Sequence, residues 1–316
     1  MSCPICKNLQ VQVVMQSCDD RYGYPGQFPL KQCGYCGHAF LECDLSPIQL
    51  TELYTNYYPR KNFDITKYKP YIEQGGFAAW LSGLSCSAFR WVPRNVRILD
   101  VGCGFGESLG YHAARGCDVY GVEADENIRR VVEKFGYKVH VGLFDERLYE
   151  QDFFDYVTMD QVIEHVTQPI FVMQGLARIL KPGGTLILST PNANGWGAKL
   201  FGVRWINWHT PYHLQFFTRQ SMQLVAERSG LSLIEVKTVT NSEWLLYQWI
   251  HLITYPKHGV ASWFWAQDKS VVPIHQKIIV KLLALLHKTK INHLITRFFD
   301  ALSVGDNYVF VLKKPD

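Results

Sequence analysis

Residues 96–106 read V-R-I-L-D-V-G-C-G-F-G, an apolar run that carries a carboxylate at Asp100 and passes into glycines at 102, 104 and 106. The run predicts a strand. The alternate glycines predict a tight turn into a helix, with backbone bare enough to approach a ligand at the carboxyl edge of a parallel sheet. Outward from it, short apolar runs at 118–123, 138–141, 154–160 and 185–190 alternate with helical segments near 106–115, 125–135 and 168–180. That alternation predicts an α/β, Rossmann-like, doubly wound sheet. Thr218 is placed to N-cap a further helix that closes on Gly230, and LSLIEVKTVT and NYVFVLKK supply the last two of seven strands. Residues 241–306, between those two strands, are too many for a hairpin and read as a helical insertion within a domain spanning 96–316.

The composition allows this reading and removes others. With 316 residues, 47% hydrophobic and 19% charged, the chain buries a sizeable core, which excludes disorder, collagen and coiled coil. A net charge of +4 gives no electrostatic case for a nucleic-acid partner. No apolar run is long enough to span a bilayer, and the start, MSCPICKNLQ, lacks a secretory signal, so a cytoplasmic location is expected.

Nine cysteines in a reducing compartment read as metal ligands and buried thiols. Cys3 and Cys6 form C-P-I-C, and Cys33 and Cys36 form C-G-Y-C-G, with 26 residues between the two knuckles. Each C-x-x-C turn aims two thiolates at one point, so together they predict a closed, structural zinc site in a ribbon over residues 1–45. Cys18 and Cys43 lack a cysteine two residues away and rank below these four, and His38 reads as a bystander. Residues 46–95 follow as an aromatic connector or lid, LYTNYYPRKNFDITKYKPY and then a helix from about Tyr71 to Trp91.

The glycine run has no glycine one position later, where a dinucleotide fingerprint needs it. Glu107 stands there and would crowd a pyrophosphate. A cofactor without phosphates fits better. Asp100 offers a carboxylate to an ammonium group, the glycine backbone underlies a nucleoside, and Glu123, ending the next strand, suits two ribose hydroxyls. These features point to S-adenosylmethionine.

On DVGCGFG, Glu123, FDYVTMDQVIEHV and LKPGGTLILSTPN, residues 96–240 resemble the class I S-adenosylmethionine-dependent methyltransferases. The likeness is to the ubiquinone-type and glycan- or metabolite-modifying branch, with HL-x-FFT at 213–218 and GDN-x-V-x-V at 305–311 as companions. The N-terminal cysteines look like those of some sugar C-methyltransferases. The resemblance implies that Asp100, Gly102, Cys103, Gly104 and Gly106 hold the methionine part and Glu123 the ribose. Ala124 and Leu143 to Asp145 would flank adenine, and Gln161 would line the pocket. Ubiquinone-type relatives have glutamate where Gln161 stands, giving E-x-x-E-H, a set able to hold a divalent metal. The substitution weakens that set, and no catalytic metal is expected.

A methyl acceptor must be held in line with the sulfonium and, if it is a hydroxyl, lose a proton. His165 is the expected general base, with Glu164 to orient or charge-stabilise it. A capping or backbone-binding role competes for His165. The segment 189–218 brings Asn192, Trp205, Trp208, His209, Tyr212 and His213 into one loop, which suits a sugar or planar ring, with His209 and His213 as rival bases. In the insertion, Ile278, Leu282, Leu285 and Leu286 share a helix face, with Lys277, Lys281, Lys288 and Lys290 beside it. That helix suits peripheral contact with the inner membrane face and a lipid-linked acceptor, while core packing or a homodimer contact competes. The leading expectation is methylation of a hydroxyl, less so a carbon, on a sugar, glycan precursor or small metabolite. RNA methylation and a non-catalytic, cofactor-binding scaffold are the rival readings.

Overall fold

The structure, a computed structural model, describes residues 2–43, 45–58, 64–265 and 273–316. Parts of the connector (59–63) and of the insertion (266–272) therefore lie outside the described residues. The N-terminal segment forms three antiparallel strands, β1 (Val11–Ser17), β2 (Phe28–Cys33) and β3 (Ala39–Leu41). The connector contains α1 (Pro47–Glu52), one turn of π-helix over Leu53–Tyr57, and α2 (Gly76–Ser82). The helix expected from Tyr71 to Trp91 is thus interrupted. Gly83 stops α2 in the left-handed conformation at φ 72°, and short 3-10 turns follow over Leu84–Cys86 and Ala88–Trp91.

From β4 (Arg97–Val101) the chain alternates strand and helix: α3 (Glu107–Ala113), β5 (Asp118–Glu123), α4 (Ile128–Phe135), β6 (Lys138–Val141), β7 (Phe154–Asp160), α5 (Pro169–Ile179) and β8 (Leu180–Pro191). Then come α6 (Trp196–Phe201), the two-residue strand β9 (Gln215–Phe216), α7 (Arg219–Arg228) and β10 (Ser232–Thr238). The insertion holds α8 (Ser242–Ile253), α9 (Ile274–Lys288) and α10 (Ile291–Ala301), and β11 (Asn307–Lys313) ends the fold.

Seven strands form one mixed sheet in the order β10-β11-β8-β7-β4-β5-β6, parallel from β8 to β6 and antiparallel around β11. Strands buried on both faces need continuous apolar runs, and Ile98, Leu99, Val157, Leu186, Leu188 and Phe310 are all fully buried. The chain leaves β4 toward β5 on one side and returns to β7 on the other. That switch point opens a crevice at the carboxyl ends of β4 and β7.

The ribbon is not a separate appendage. β9 pairs with β3 and becomes the fourth strand of the N-terminal sheet. Beside it, His38 is fully buried and its Nε2 lies 2.8 Å from Gln215 Oε1, so the expected bystander ties the ribbon to β9. The insertion is fastened by Arg297, which bonds the carbonyls of Trp80 and Thr240 and pairs with Asp300 at 2.6 Å. On α9, Ile278, Leu282, Leu285 and Leu286 remain more than half exposed. Among the described residues, no helix is long and apolar enough to cross a membrane.

Candidate active site

At the crevice, Gly102, Gly104 and Gly106 all take positive φ, 77°, 57° and 81°. A Cβ on Gly102 would stand 2.4 Å from Val162, whereas one on Gly104 would project into open space. The first glycine therefore permits loop packing, and the second leaves a bare backbone cradle. Glu123 closes the cradle. Its two oxygens accept the N–H groups of Gly104 and Asp125, each at 2.8 Å, so one carboxylate joins the loops that follow β4 and β5. Its remaining lone pairs suit a vicinal diol.

Asp100 is placed differently from the expected ammonium partner. It is 2% exposed, and its oxygens accept hydrogen bonds from the Ser108 and Thr158 hydroxyls. Burial raises its pKa to about 6, against the lowering effect of those hydroxyls. Its direct work is to brace β4, β7 and the start of α3. Cys103 is buried beneath the loop, and Ala124 is exposed beside Glu123. Asp145 accepts hydrogen bonds from the Arg147 side chain and backbone, while Leu143 is exposed. The connector reaches the same edge: the Tyr68 hydroxyl donates to the Gly106 carbonyl at 2.7 Å.

Beyond β7 lies a cavity of about 440 Å³. Gln161, at φ 57°, stands at its entrance, and its amide donates to Ser189 Oγ and Asn307 Oδ1. His165, His209 and His213 line the wall, their rings packed edge to face at 4.7 and 4.8 Å. His165 Nδ1 lies 2.8 Å from the Tyr212 carbonyl, and His213 Nδ1 lies 2.9 Å from that of Asn207. A carbonyl only accepts, so both Nδ1 atoms carry hydrogen and both Nε2 atoms carry lone pairs. His213 Nε2 is 3.3 Å from His209 Nδ1, which leaves His209 Nε2 buried without a partner.

His165 faces the cavity, half-buried, and desolvation lowers its pKa to about 4. The group that orients it is the Tyr212 carbonyl. Glu164 is fully buried, accepts from Thr190 Oγ1 at 3.0 Å through Oε2, and leaves Oε1 without a partner. Burial raises the Glu164 pKa to about 8. Glu164, His165 and His213 each bring one ligand-type atom to within 4.8 Å of the others.

The aromatic loop divides in two. His209 and His213 reach the cavity, but Trp205, Trp208 and Tyr212 pack into the core under the ribbon, and Asn192 donates to the Gly305 carbonyl at 2.7 Å. The remaining wall comes from residues the sequence did not single out, among them Arg21, Tyr22, Tyr58, Asp160, Trp244, Trp265 and Asp306. Asp160 and Asp306 fall inside the FDYVTMDQVIEHV and GDN-x-V-x-V motifs, while the others sit in no spacing pattern. For the rings, the aromatic richness of the chain was the available signal.

The four ribbon cysteines bring their sulfurs within 4.8 Å of one another, with Cys3–Cys36 at 3.7 Å and Cys6–Cys33 at 3.5 Å. A tetrahedron with Zn–S of about 2.3 Å has edges of about 3.8 Å, whereas a disulfide needs about 2.05 Å. Backbone N–H groups of Ile5 and Cys6 point to Cys3 sulfur, and those of Tyr35 and Cys36 to Cys33 sulfur. This is a donor arrangement that favours thiolates, and the cluster fits zinc.

Residues 56–236 match the family model described as a methyltransferase domain, and the chain belongs to that family, in the S-adenosylmethionine-dependent class. Among curated relatives, it is 40% identical over 116 residues to a ubiquinone biosynthesis O-methyltransferase of Dechloromonas aromatica, covering 33% of this chain and 50% of that protein. It is 26% identical over 174 residues to the enzyme of that name from Cupriavidus pinatubonensis, covering 51% of this chain and 68% of that one. The chain spans about half the length of the first curated relatives it matches. Among solved structures, the Haemonchus contortus phosphoethanolamine N-methyltransferase 2 in complex with S-adenosyl-L-methionine shares the fold. Its TM-score is 0.51 at 20% identity, over 88% of this chain and 62% of that one.

Proposed function

We propose that this chain transfers the methyl group of S-adenosylmethionine to a hydroxyl of a small acceptor, a sugar, glycan precursor or comparable metabolite. Residues 96–316 would form the catalytic domain, with the insertion at 241–306, and residues 1–45 a structural zinc ribbon joined to it through 46–95. The observation that carries the reading is the pairing of the Gly102–Gly106 cradle, closed by Glu123, with a cavity into which His165 presents a lone pair.

The cofactor supplies an electrophilic methyl on a sulfonium, so the protein's work is positioning and proton removal. Gly104 backbone and Glu123 bind, with Asp100 holding the loop rigid from below. His165 Nε2 takes the acceptor proton, its ring fixed by Tyr212, and His209 Nε2 is the rival base. Tyr22, Tyr58, Trp244 and Trp265 give the cavity ring-bearing walls that suit a sugar or planar acceptor. The curated relatives named as O-methyltransferases support oxygen as the accepting atom.

Calorimetric titration with S-adenosylmethionine and S-adenosylhomocysteine tests the first half. One-site binding is expected, weakened by at least about thirtyfold in Glu123→Ala, because a carboxylate accepting from two hydroxyls contributes roughly 2 kcal/mol or more. His165→Ala should leave that binding intact and slow transfer by about 10²–10⁴-fold. Unchanged turnover in His165→Ala would move His209 ahead.

A second reading makes Glu164, His165 and His213 a divalent-cation site, favoured by the unpartnered Glu164 Oε1. Brief chelation that leaves ribbon zinc bound separates the two. Unaltered transfer supports the base, and loss restored by Mg²⁺ supports the cation.

A further inference from the structure

Among the described residues, Arg21 is a buried cation with no ion pair. It is 4% exposed, although it lies in the loop that follows β1. Asp19 holds that loop by accepting the backbone N–H groups of Arg21, Tyr22 and Tyr24 at 2.8–3.0 Å. Asp20 is turned to His251 Nε2, 3.2 Å away on α8. Neither acid beside Arg21 pairs with its guanidinium, and the arginine lines the cavity between ribbon and sheet.

There the guanidinium stacks on Trp265 at 4.9 Å, donates to the Ile206 carbonyl and hydrogen-bonds Tyr22. Its Nε is buried without a partner. Among the described residues, no carboxylate lies within ion-pair distance of it. Asp160 accepts from Ser189 Oγ and Asp306 from Gly197 N–H, so the two cavity acids are also engaged. An arginine does not shed its charge, and a buried cation without a counter-ion is costly unless a ligand supplies one. A planar fork stacked on an aromatic ring is suited to a carboxylate or phosphate.

We propose that Arg21 is an anion-binding, specificity-determining residue of the acceptor cavity. The acceptor then carries an anionic oxygen group, carboxylate or phosphate, held at the ribbon side while its hydroxyl faces His165. This rests on the reading of the cavity as the acceptor site. It also gives the ribbon a part in substrate choice: the zinc knuckles hold the segment that delivers the recognition group.

The test uses the full-length, zinc-loaded protein with S-adenosylhomocysteine present, and three probes of similar size: benzoate, phenyl phosphate and benzyl alcohol. Calorimetry and the quench of tryptophan fluorescence read binding. At least one anion should bind ten times more tightly than benzyl alcohol, and the preferred anion identifies the acceptor's group. Arg21→Gln should lose at least tenfold of that affinity, Arg21→Lys should keep part of it, and benzyl alcohol should be indifferent to both. Should Arg21→Gln fail to fold, the wild type carries the test through salt: anion affinity should fall between 50 and 300 mM NaCl while benzyl alcohol does not change. Equal binding of all three probes, no binding of either anion, or full anion affinity in folded Arg21→Gln overturns the proposal. Homocysteine-cofactor binding is measured separately. Its loss with anion selectivity intact would count against the cofactor reading and leave the anion site standing.

Discussion

The two sides of the sheet's carboxyl edge are built by opposite means. The proposed cofactor cradle is made within residues 100–123, largely from backbone, and its one long-reaching side chain, Glu123, closes it by bonding Gly104 and Asp125. The proposed acceptor cavity draws its wall from the ribbon, the connector, the ends of β7 and β11, the loop before β9 and the start of α8. A site of backbone amides needs only a local conformation, so glycine spacing encodes it. A site of side chains needs distant segments brought to one place, and its selectivity can change without touching the cradle.

The largest expected effect that could break this contrast comes from Cys33→Ser. Loss of a cysteine from the proposed zinc site should unfold the ribbon, remove Arg21 and Tyr22 from the cavity, and cut transfer by more than about 100-fold. Affinity for S-adenosylhomocysteine should change by less than about threefold, since it rests on β4 and β5. Zinc analysis and calorimetry on one preparation decide it, and equal loss of both functions would show that the halves are not separable.

Gly102→Ala is the converse perturbation. Its Cβ would meet Val162 at 2.4 Å on a backbone at φ 77°, so thermal unfolding should show a loss of about 2 kcal/mol or more. Cofactor affinity should fall about tenfold or more as the loop is displaced. Because Val162 adjoins Gln161, some loss at the cavity is expected as well, and its size measures how far the two sides are coupled.

The smallest effect is the cofactor side's own share of the acid loss of stability. His112, on α3, is fully buried with neither ring nitrogen bonded, and burial lowers its pKa to about 3 from 6.5. A lowered histidine pKa means the unfolded chain binds the extra proton, so stability is full above pH 6.5 and declines as pH falls toward 3. The loss should be about 1 kcal/mol by pH 5.5. In His112→Leu, melting measured at pH 7.5 and 5.5 should differ by correspondingly less.

The cradle and the strands were legible because their signals are local. The runs at 118–123, 138–141 and 154–160 match β5, β6 and β7 end to end. Thr218 caps α7 with a reciprocal bond to Ser221, as its position before the helical run implied. The connector was less legible, since the apolar pattern over 71–91 hid the effect of Gly75, Gly76 and Gly83 on helix continuity. His38 and Gln215 illustrate a different limit. They are 177 residues apart, and nothing in either neighbourhood announces the 2.8 Å contact.

From residue order alone came the α/β class, the glycine turn after β4, Glu123 at the end of β5 and the two cysteine knuckles. Each depends on spacing along one segment, where backbone geometry converts sequence distance directly into space. Only the tertiary structure made β9 a strand of the ribbon sheet, buried Asp100 beneath the loop it supports, gave His165 its orienting carbonyl and set Arg21 against Trp265. Those outcomes follow from how separate apolar faces pack together, and that packing brings side chains from ribbon and sheet into one cavity without leaving a periodic mark in the sequence.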